Sequence, residues 1–110
     1  MTYSQDFQIV PPDRSDVDRL AGAAVLEFGT PWCGHCQRAQ PLVRQALERR
    51  ADVAHLRIED GPGQALGRSF GVKLWPTLIF LRDGKEVARQ VRPLEAAPIE
   101  QALALACGPA

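Results

Sequence analysis

Apolar and polar residues follow two patterns along the chain, one typical of buried strands and the other of amphipathic helices. An almost unbroken apolar run from Ala23 to Phe28 predicts a strand buried on both faces of a parallel sheet. Further strands are predicted from Val53 to Ile58 and from Thr77 to Leu81. Asp83-Gly84 is a two-residue hairpin signal, so Glu86 to Val91 is predicted to return antiparallel to the strand before it.

Helices are predicted between and after these strands. Apolar residues recur at helical spacing after Gly34: Ala39, Leu42, Val43, Ala46 and Leu47. Pro41 lies inside this helix and should kink it, because proline lacks the N–H of the helical ladder. The other predicted helices are Asp13 to Leu20, Gln64 to Ser69 and Glu95 to Ala106, the last ended by Gly108 and Pro109. This order predicts an α/β fold with a mixed sheet of four or five strands flanked by helices.

Composition and charge exclude several functional classes. The 110 residues suffice for one domain, and 13 Lys and Arg residues balance 13 Asp and Glu residues. A chain without net charge has no general field to recruit nucleic acid or anionic lipid, so neither is expected as a partner. No apolar stretch approaches the roughly 18 residues of a membrane helix, and residues 1 to 20 lack a signal-peptide pattern. A cytoplasmic location is therefore expected.

Two of the three cysteines form the sequence Cys33-Gly34-His35-Cys36. Three cysteines are too few for a secreted disulfide framework. Cys33 is predicted to follow the first strand and begin the helix, where unpaired N–H groups and the helix dipole favour a thiolate nucleophile. Cys36 lies one turn further and is predicted to attack the Cys33 sulfur, which resolves a mixed disulfide. A C-x-x-C pair beside a βαβ pattern indicates a redox site.

A structural zinc site is the alternative for this cysteine pair. Zinc needs four ligands, and the remaining candidates are His35, His55 and Cys107, without a second C-x-x-C pair. No metal is therefore predicted, and no organic cofactor is needed because the cysteines themselves carry the electrons. Cys107 lies on the apolar face of the last helix, where core packing is favoured over a regulatory thiol.

Several landmarks together resemble the thioredoxin family over about residues 20 to 107. They are Trp32-Cys33-Gly34-His35-Cys36 after Val25-Leu26-Glu27-Phe28, then Pro41, Phe70-Gly71-Val72, Trp75-Pro76-Thr77 and the Asp83-Gly84 hairpin. The resemblance implies one domain over residues 1–110 with a three-layer sandwich, and a monomer. It also implies a thiol–disulfide oxidoreductase that reduces disulfide-containing proteins and is recharged by a reductase or a small thiol.

The resemblance implies a substrate surface around the cysteine pair, formed by Trp32, Gly34, Trp75, Pro76 and Thr77. Pro76 stands where the family has a cis-proline facing the cysteines, and Thr77 begins the strand behind it. The backbone of Trp75 would then pair with an extended substrate segment. The alternatives are an ordinary strand-start proline at Pro76 and core packing of Trp75 against Trp32.

Glu27 occupies the place of a buried aspartate in thioredoxins. Burial of a carboxyl group favours its neutral form, so Glu27 is expected to accept the proton of Cys36. His55 stands where the family has a lysine, which predicts a Glu27–His55 pair. The alternatives are a Glu27 that reaches water at the sheet edge and a His55 that is a satisfied core histidine.

Two further positions depart from the usual thioredoxin pattern. Gly34-His35 is the dipeptide of protein disulfide isomerase domains, and an imidazolium at His35 would stabilise the Cys33 thiolate. The expected redox potential then lies between about −270 mV and about −180 mV, and His35→Pro should lower it. Arg92-Pro93 stands near a family glycine that lets partners approach, which bears on the choice of reductase and substrates.

Two other functions fit the same motifs. One is disulfide isomerase or oxidase activity by the same cysteine pair. The other is a thioredoxin-like adaptor or holdase that binds extended proteins through the surface of Trp32 and Trp75. Removal of both cysteines would abolish the first activity and leave the second.

Overall fold

The computed structural model describes residues 3–108, within which a mixed sheet of four strands forms the centre of the fold. The strands are β1 (Ala23–Gly29), β2 (Val53–Glu59), β3 (Thr77–Arg82) and β4 (Lys85–Val91). Their spatial order is β2-β1-β3-β4, with β1 parallel to β2 and antiparallel to β3. Beyond β2, a single parallel bridge joins Phe7 to Arg57. The predicted mixed sheet is therefore confirmed.

Four helices flank this sheet in the described part of the chain: α1 (Arg14–Asp18), α2 (Gly34–Leu47), α3 (Ala65–Ser69) and α4 (Ala96–Cys107). A capping box between Asp13 and Asp16 begins α1, which ends two residues earlier than predicted. Pro41 lies inside α2, which is one continuous element, so the expected kink stays a prediction. Pro109, predicted to end the last helix, lies outside the described residues.

The sheet separates two apolar clusters because successive side chains of a strand point to opposite faces. On one face, Val25, Leu78 and Phe80 pack against apolar residues of α2 and α4. On the other face, Leu26, Phe28 and Ile79 pack against residues of the α1 and α3 side. This arrangement confirms the expected three-layer sandwich. Cys107 is half-buried and packs against the first cluster, which agrees with the expected core packing.

The Asp83-Gly84 turn joins β3 to β4 as the sequence predicted. Both residues have positive φ angles, 50° and 80°, as a type I′ turn requires. A Cβ atom at Gly84 would lie 2.1 Å from the carbonyl oxygen of Asp18, so the turn also packs closely beneath α1.

Strand register places two loops side by side. Phe28, near the end of β1, is opposite Thr77, the first residue of β3, because these strands are antiparallel. The turn from β1 into α2 therefore lies next to the segment that enters β3. Cys33 is in the first of these loops and Pro76 in the second, so residues 43 positions apart in sequence meet at one end of the sheet.

Candidate active site

Cys33 is the N-cap residue of α2, with an extended backbone at φ −78° and ψ 116°. Its Sγ accepts the backbone N–H of Cys36 at 3.1 Å. An N–H donor and the positive end of the helix dipole both stabilise a thiolate at this position. Cys33 and Cys36 are free thiols, and Cys33 is half-buried. The sulfur expected to attack a substrate is therefore the one that solvent can reach.

Cys36 lies behind Cys33 and is only 1% exposed. Burial raises the pKa of its thiol to about 12, and the contact with the Cys33 thiol acts in the same direction. A backbone hydrogen bond from Thr30 acts in the opposite direction. At neutral pH the proton therefore stays on Cys36 until another group accepts it, so the two cysteines differ in their readiness to attack.

Gly29 makes room for the Cys36 sulfur. A Cβ atom at Gly29 would lie 2.5 Å from the Cys36 Sγ, well inside van der Waals contact. The sequence pattern did not identify Gly29 as a site residue, because glycine is common wherever a strand gives way to a turn. The signal that could have found it is its position four residues before the cysteine pair, at the turn between β1 and α2.

Replacement of Gly29 by alanine is expected to destabilise the reduced protein by about 1–3 kcal/mol, because the added methyl group overpacks against the Cys36 sulfur. Gly34→Ala is the matched control, since a Cβ atom there meets nothing within 4 Å. Urea unfolding of both variants under reducing conditions measures the difference. Equal free energies of unfolding for the two variants would show that the Gly29 site tolerates the methyl group.

Glu27 is buried at the centre of β1, 2% exposed, and its carboxylate faces β2. Its Oε1 lies 2.9 Å from Nε2 of His55. The Nδ1 of His55 accepts the backbone N–H of Ser4 at 2.8 Å, which leaves the ring proton on Nε2. His55 is therefore a neutral ring that donates to Glu27, so the predicted pair is present. The alternative of Glu27 at the sheet edge in water is wrong, whereas His55 is also a satisfied core histidine.

Two more side chains hold the Glu27 carboxylate, and the sequence pattern identified neither. The first is Arg57, whose Nε lies 3.6 Å from Oε2 of Glu27, and strand register pairs these two residues directly. Arg57 follows His55 by two positions on β2, so both side chains reach the same face of the strand. That two-residue spacing is the signal that could have found Arg57.

Gln40 is the second side chain that holds the Glu27 carboxylate, and it connects Glu27 to the cysteine pair. Its side-chain amide donates to Oε2 of Glu27 and to the carbonyl oxygen of Cys36, the latter at 2.9 Å. The negative charge of Glu27 also raises the pKa of the Cys36 thiol. Glu27 is therefore linked to Cys36 through Gln40 and through its charge, while its acceptance of the Cys36 proton stays a prediction.

The peptide bond between Trp75 and Pro76 is cis, and Pro76 is buried. This finding agrees with the family position that the sequence suggested for Pro76. The hydroxyl of Thr77 donates to the carbonyl oxygen of Leu74 at 2.6 Å and so supports the same turn. The indole N–H of Trp75 donates to Oδ2 of Asp60 at 2.9 Å. The sequence pattern did not identify Asp60 as a neighbour of this turn.

The backbone of Trp75 is only partly available to a substrate. Its carbonyl oxygen accepts the Nε–H of Arg92 at 2.8 Å, so this acceptor is occupied within the chain. Pairing of the Trp75 backbone with a substrate segment stays a prediction, with its carbonyl oxygen already engaged by Arg92. In residues 3–108, the Trp75 N–H has no hydrogen-bond partner and can donate to a substrate carbonyl.

Trp32 and Gly34 flank Cys33 at the surface. Trp32 is 72% exposed, which does not agree with core packing of Trp75 against it. A Cβ atom at Gly34 would meet nothing within 4 Å, so the space over the start of α2 is open. The two residues therefore leave Cys33 accessible beside a large exposed aromatic ring.

His35 lies between the two cysteines and contacts an arginine side chain of α2. Its Nδ1 lies 2.8 Å from an Nη2 of Arg38, which can only donate, so this ring nitrogen is an acceptor. The guanidinium of Arg92, with smaller effects of desolvation and of Arg38, lowers the pKa of His35. Both guanidinium groups therefore disfavour the expected imidazolium at His35, while the effect of His35 on the Cys33 thiolate stays a prediction.

Neither a metal cluster nor a membrane span is found in the part of the chain that the structure describes. Residues 3–108 contain no group of three or more His, Cys, Asp or Glu side chains that could hold a metal ion. Over the same residues, no helix is both long enough and apolar enough to cross a membrane.

Comparison with known proteins places this geometry in a family. The family model for thioredoxin matches residues 14–104. The solved structure of thioredoxin 2 from Pseudomonas aeruginosa PAO1, in its reduced form, is 54% identical in sequence and has a TM-score of 0.82. The match covers 93% of this chain and 94% of that chain.

Curated relatives include both thioredoxins and disulfide isomerases. Thioredoxin from Chlamydia muridarum is 32% identical over 84 residues, which are 76% of this chain and 82% of the relative. Protein disulfide-isomerase A2 from Pongo abelii is 40% identical over 93 residues, which are 79% of this chain but 18% of the relative. The chain thus spans about a fifth of the length of such isomerases, 18% and 22% in two cases. By fold, cysteine pair and family match, the chain belongs to the thioredoxin family.

Proposed function

We propose that this protein reduces disulfide bonds in other proteins through Cys33 and Cys36. The observation that carries the proposal is the difference between the two sulfurs. Cys33 is accessible at the N-terminus of α2 and accepts a backbone N–H, whereas Cys36 is buried and its pKa is raised to about 12. This asymmetry suits a nucleophile and a resolving thiol.

The reaction begins when the Cys33 thiolate attacks one sulfur of the substrate disulfide. A new S–S bond forms between Cys33 and the substrate, and the other substrate sulfur leaves as a thiolate that takes a proton from water. Cys36 then gives its proton to Glu27 and attacks the Cys33 sulfur. The Cys33–Cys36 disulfide forms and the second substrate sulfur is released. The substrate gains two electrons, which a reductase or a small thiol later restores to the pair.

The surface around Cys33 supports recognition of an extended substrate segment. The free N–H of Trp75 can donate to a substrate carbonyl in the manner of strand addition. The exposed ring of Trp32 can cover an apolar substrate side chain next to the disulfide. Both groups lie beside the sulfur that would attack.

A test peptide with one internal disulfide checks this proposal directly. With dithiothreitol as the recycling thiol, the protein is expected to accelerate reduction of the peptide, and the Cys33→Ser/Cys36→Ser variant is expected to show the uncatalysed rate. An adaptor or holdase would bind the same peptide equally well with both cysteines replaced. Unchanged acceleration by the double variant would contradict the proposal.

Disulfide isomerase or oxidase activity is the second candidate, favoured by Gly34-His35 and by the 40% identity to protein disulfide-isomerase A2. Measurement of the redox potential by equilibration with glutathione distinguishes net reduction of substrates from net oxidation. A potential near about −270 mV supports a reductase, and one near about −180 mV supports an oxidant. The full gap corresponds to about 4 kcal/mol in the two-electron exchange.

We also propose a cytoplasmic location. An odd set of three cysteines, of which Cys107 has no disulfide partner, suits a reducing compartment better than a secreted protein. Localisation of the full chain in fractionated cells tests this.

A further inference from the structure

A pocket lies beside the cysteine pair, between α2 and the segment that follows β4. Its volume is about 310 Å³, and its lining includes His35, Arg38, Leu42, Arg92 and Leu94. His35 lies between Cys33 and Cys36 in the sequence, so this pocket, here called the arginine pocket, adjoins the cysteine motif, although neither cysteine lines it. Nothing in the proposed reaction uses its side chains.

Two guanidinium groups in the arginine pocket are held in place but have no acidic partner among the residues that the structure describes. An Nη2 of Arg38 contacts His35 at 2.8 Å, and the Nε of Arg92 donates to the Trp75 carbonyl at 2.8 Å. No Asp or Glu of residues 3–108 forms an ion pair with either arginine. Other arginines of the chain do have such partners, as Arg14 and Arg89 show.

The backbone conformation of Arg92 also helps to hold its side chain in the arginine pocket. Its φ of 49° lies in the left-handed region that favours glycine, and its N–H donates to the carbonyl of Pro76 at 2.9 Å. An arginine is therefore held in a conformation that seldom carries a side chain, and that side chain points back toward the active site. The same guanidinium is the largest cause of the lowered pKa of His35, so its charge acts on a residue of the Cys33–Cys36 motif.

We propose that the arginine pocket binds the carboxylate of an acidic residue next to the disulfide of a protein substrate. A planar guanidinium matches a carboxylate in charge and geometry. The two guanidinium groups of this pocket have no carboxylate partner among residues 3–108, so the pocket carries positive charge near the cysteine motif without a counter-charge. Leu42 and Leu94 supply apolar walls for the stem of a Glu or Asp side chain. This inference rests on the proposed reductase function and names the substrate class that the same site prefers.

The experiment compares two peptides with the same internal disulfide, one with Glu and one with Gln three residues from a cysteine. We expect the wild-type kcat/KM to be about fivefold higher for the Glu peptide at low ionic strength, with the ratio falling toward one as salt screens the charges. Arg38→Gln and Arg92→Gln are each expected to lower that ratio. Two separate variants keep the test informative if one of them alters the loop.

Arg49→Gln is the matched control, because it removes the same charge from an exposed residue beyond the opposite end of α2. A 14-residue helix places it about 20 Å from Cys33. Arg49→Gln should keep the wild-type ratio of kcat/KM between the Glu and Gln peptides. The proposed carboxylate binding would be contradicted if wild-type kcat/KM were equal for the two peptides. It would also be contradicted if both arginine variants kept the wild-type ratio of kcat/KM between the Glu and Gln peptides. Failure to reduce either peptide would instead contradict the reductase function itself.

Discussion

Cys33→Ser is expected to abolish disulfide reduction, whereas Cys36→Ser is expected to stop the reaction at a covalent intermediate. The hydroxyl of serine does not ionise at neutral pH, so without the Cys33 thiolate no sulfur attacks the substrate. Without Cys36, the bond between Cys33 and the substrate forms and has no internal thiol to break it. One equivalent of substrate should therefore remain bound per protein, visible on a non-reducing gel and by intact mass.

Cys107→Ser is the control for this pair of variants. Cys107 packs at the end of α4 against the core cluster and takes no part in the reaction, so activity close to that of the wild type is expected. The assignment would be reversed if Cys33→Ser, and not Cys36→Ser, accumulated the covalent complex.

Glu27→Gln is expected to slow release of the substrate from the mixed disulfide by about 100-fold or more at pH 7, the usual contribution of a proton acceptor. Gln keeps the shape of the side chain and can still accept the His55 N–H, but it cannot take the proton of Cys36. Single-turnover measurement of the resolving step isolates this effect from binding. Glu48→Gln, at the far end of α2, removes a carboxylate of the same kind and should leave the rate unchanged.

The rate of the resolving step is also expected to rise with pH, by different amounts in the wild type and in Glu27→Gln. Because the pKa of Cys36 is raised to about 12, its thiolate fraction grows about tenfold per pH unit between pH 7 and 10. In Glu27→Gln the resolving rate should follow that steep rise, since solvent must remove the proton. The wild type should show a shallower rise because Glu27 accepts it. If the resolving rate and its slope against pH are identical in both proteins, Glu27 is not the proton acceptor.

The sequence predicted the parts of the fold and site that depend on local pattern. The apolar run of β1, the Asp83-Gly84 turn and the amphipathic α2 all follow from residue periodicity and turn chemistry. Cys33 at the start of α2 follows from the same reasoning, because the end of the strand and the beginning of the helix are both visible in the pattern.

The contacts that the sequence did not predict depend on strand register and on loops. Arg57 reaches Glu27 only because β1 and β2 pair in one particular register. Arg92 meets the Trp75 carbonyl because the end of β4 lies next to the start of β3. The lowered pKa of His35 was not predicted for the same reason, since it depends on a guanidinium 57 residues away in sequence.

The central claim is that Cys33 is the reactive thiol and Cys36 the protected one. Brief exposure of the reduced, folded protein to iodoacetamide at pH 7, followed by peptide mass mapping, tests it most directly. Modification confined to Cys33, with Cys36 alkylated only after unfolding, is the predicted result. Alkylation of Cys36 at a rate equal to or above that of Cys33 would contradict it.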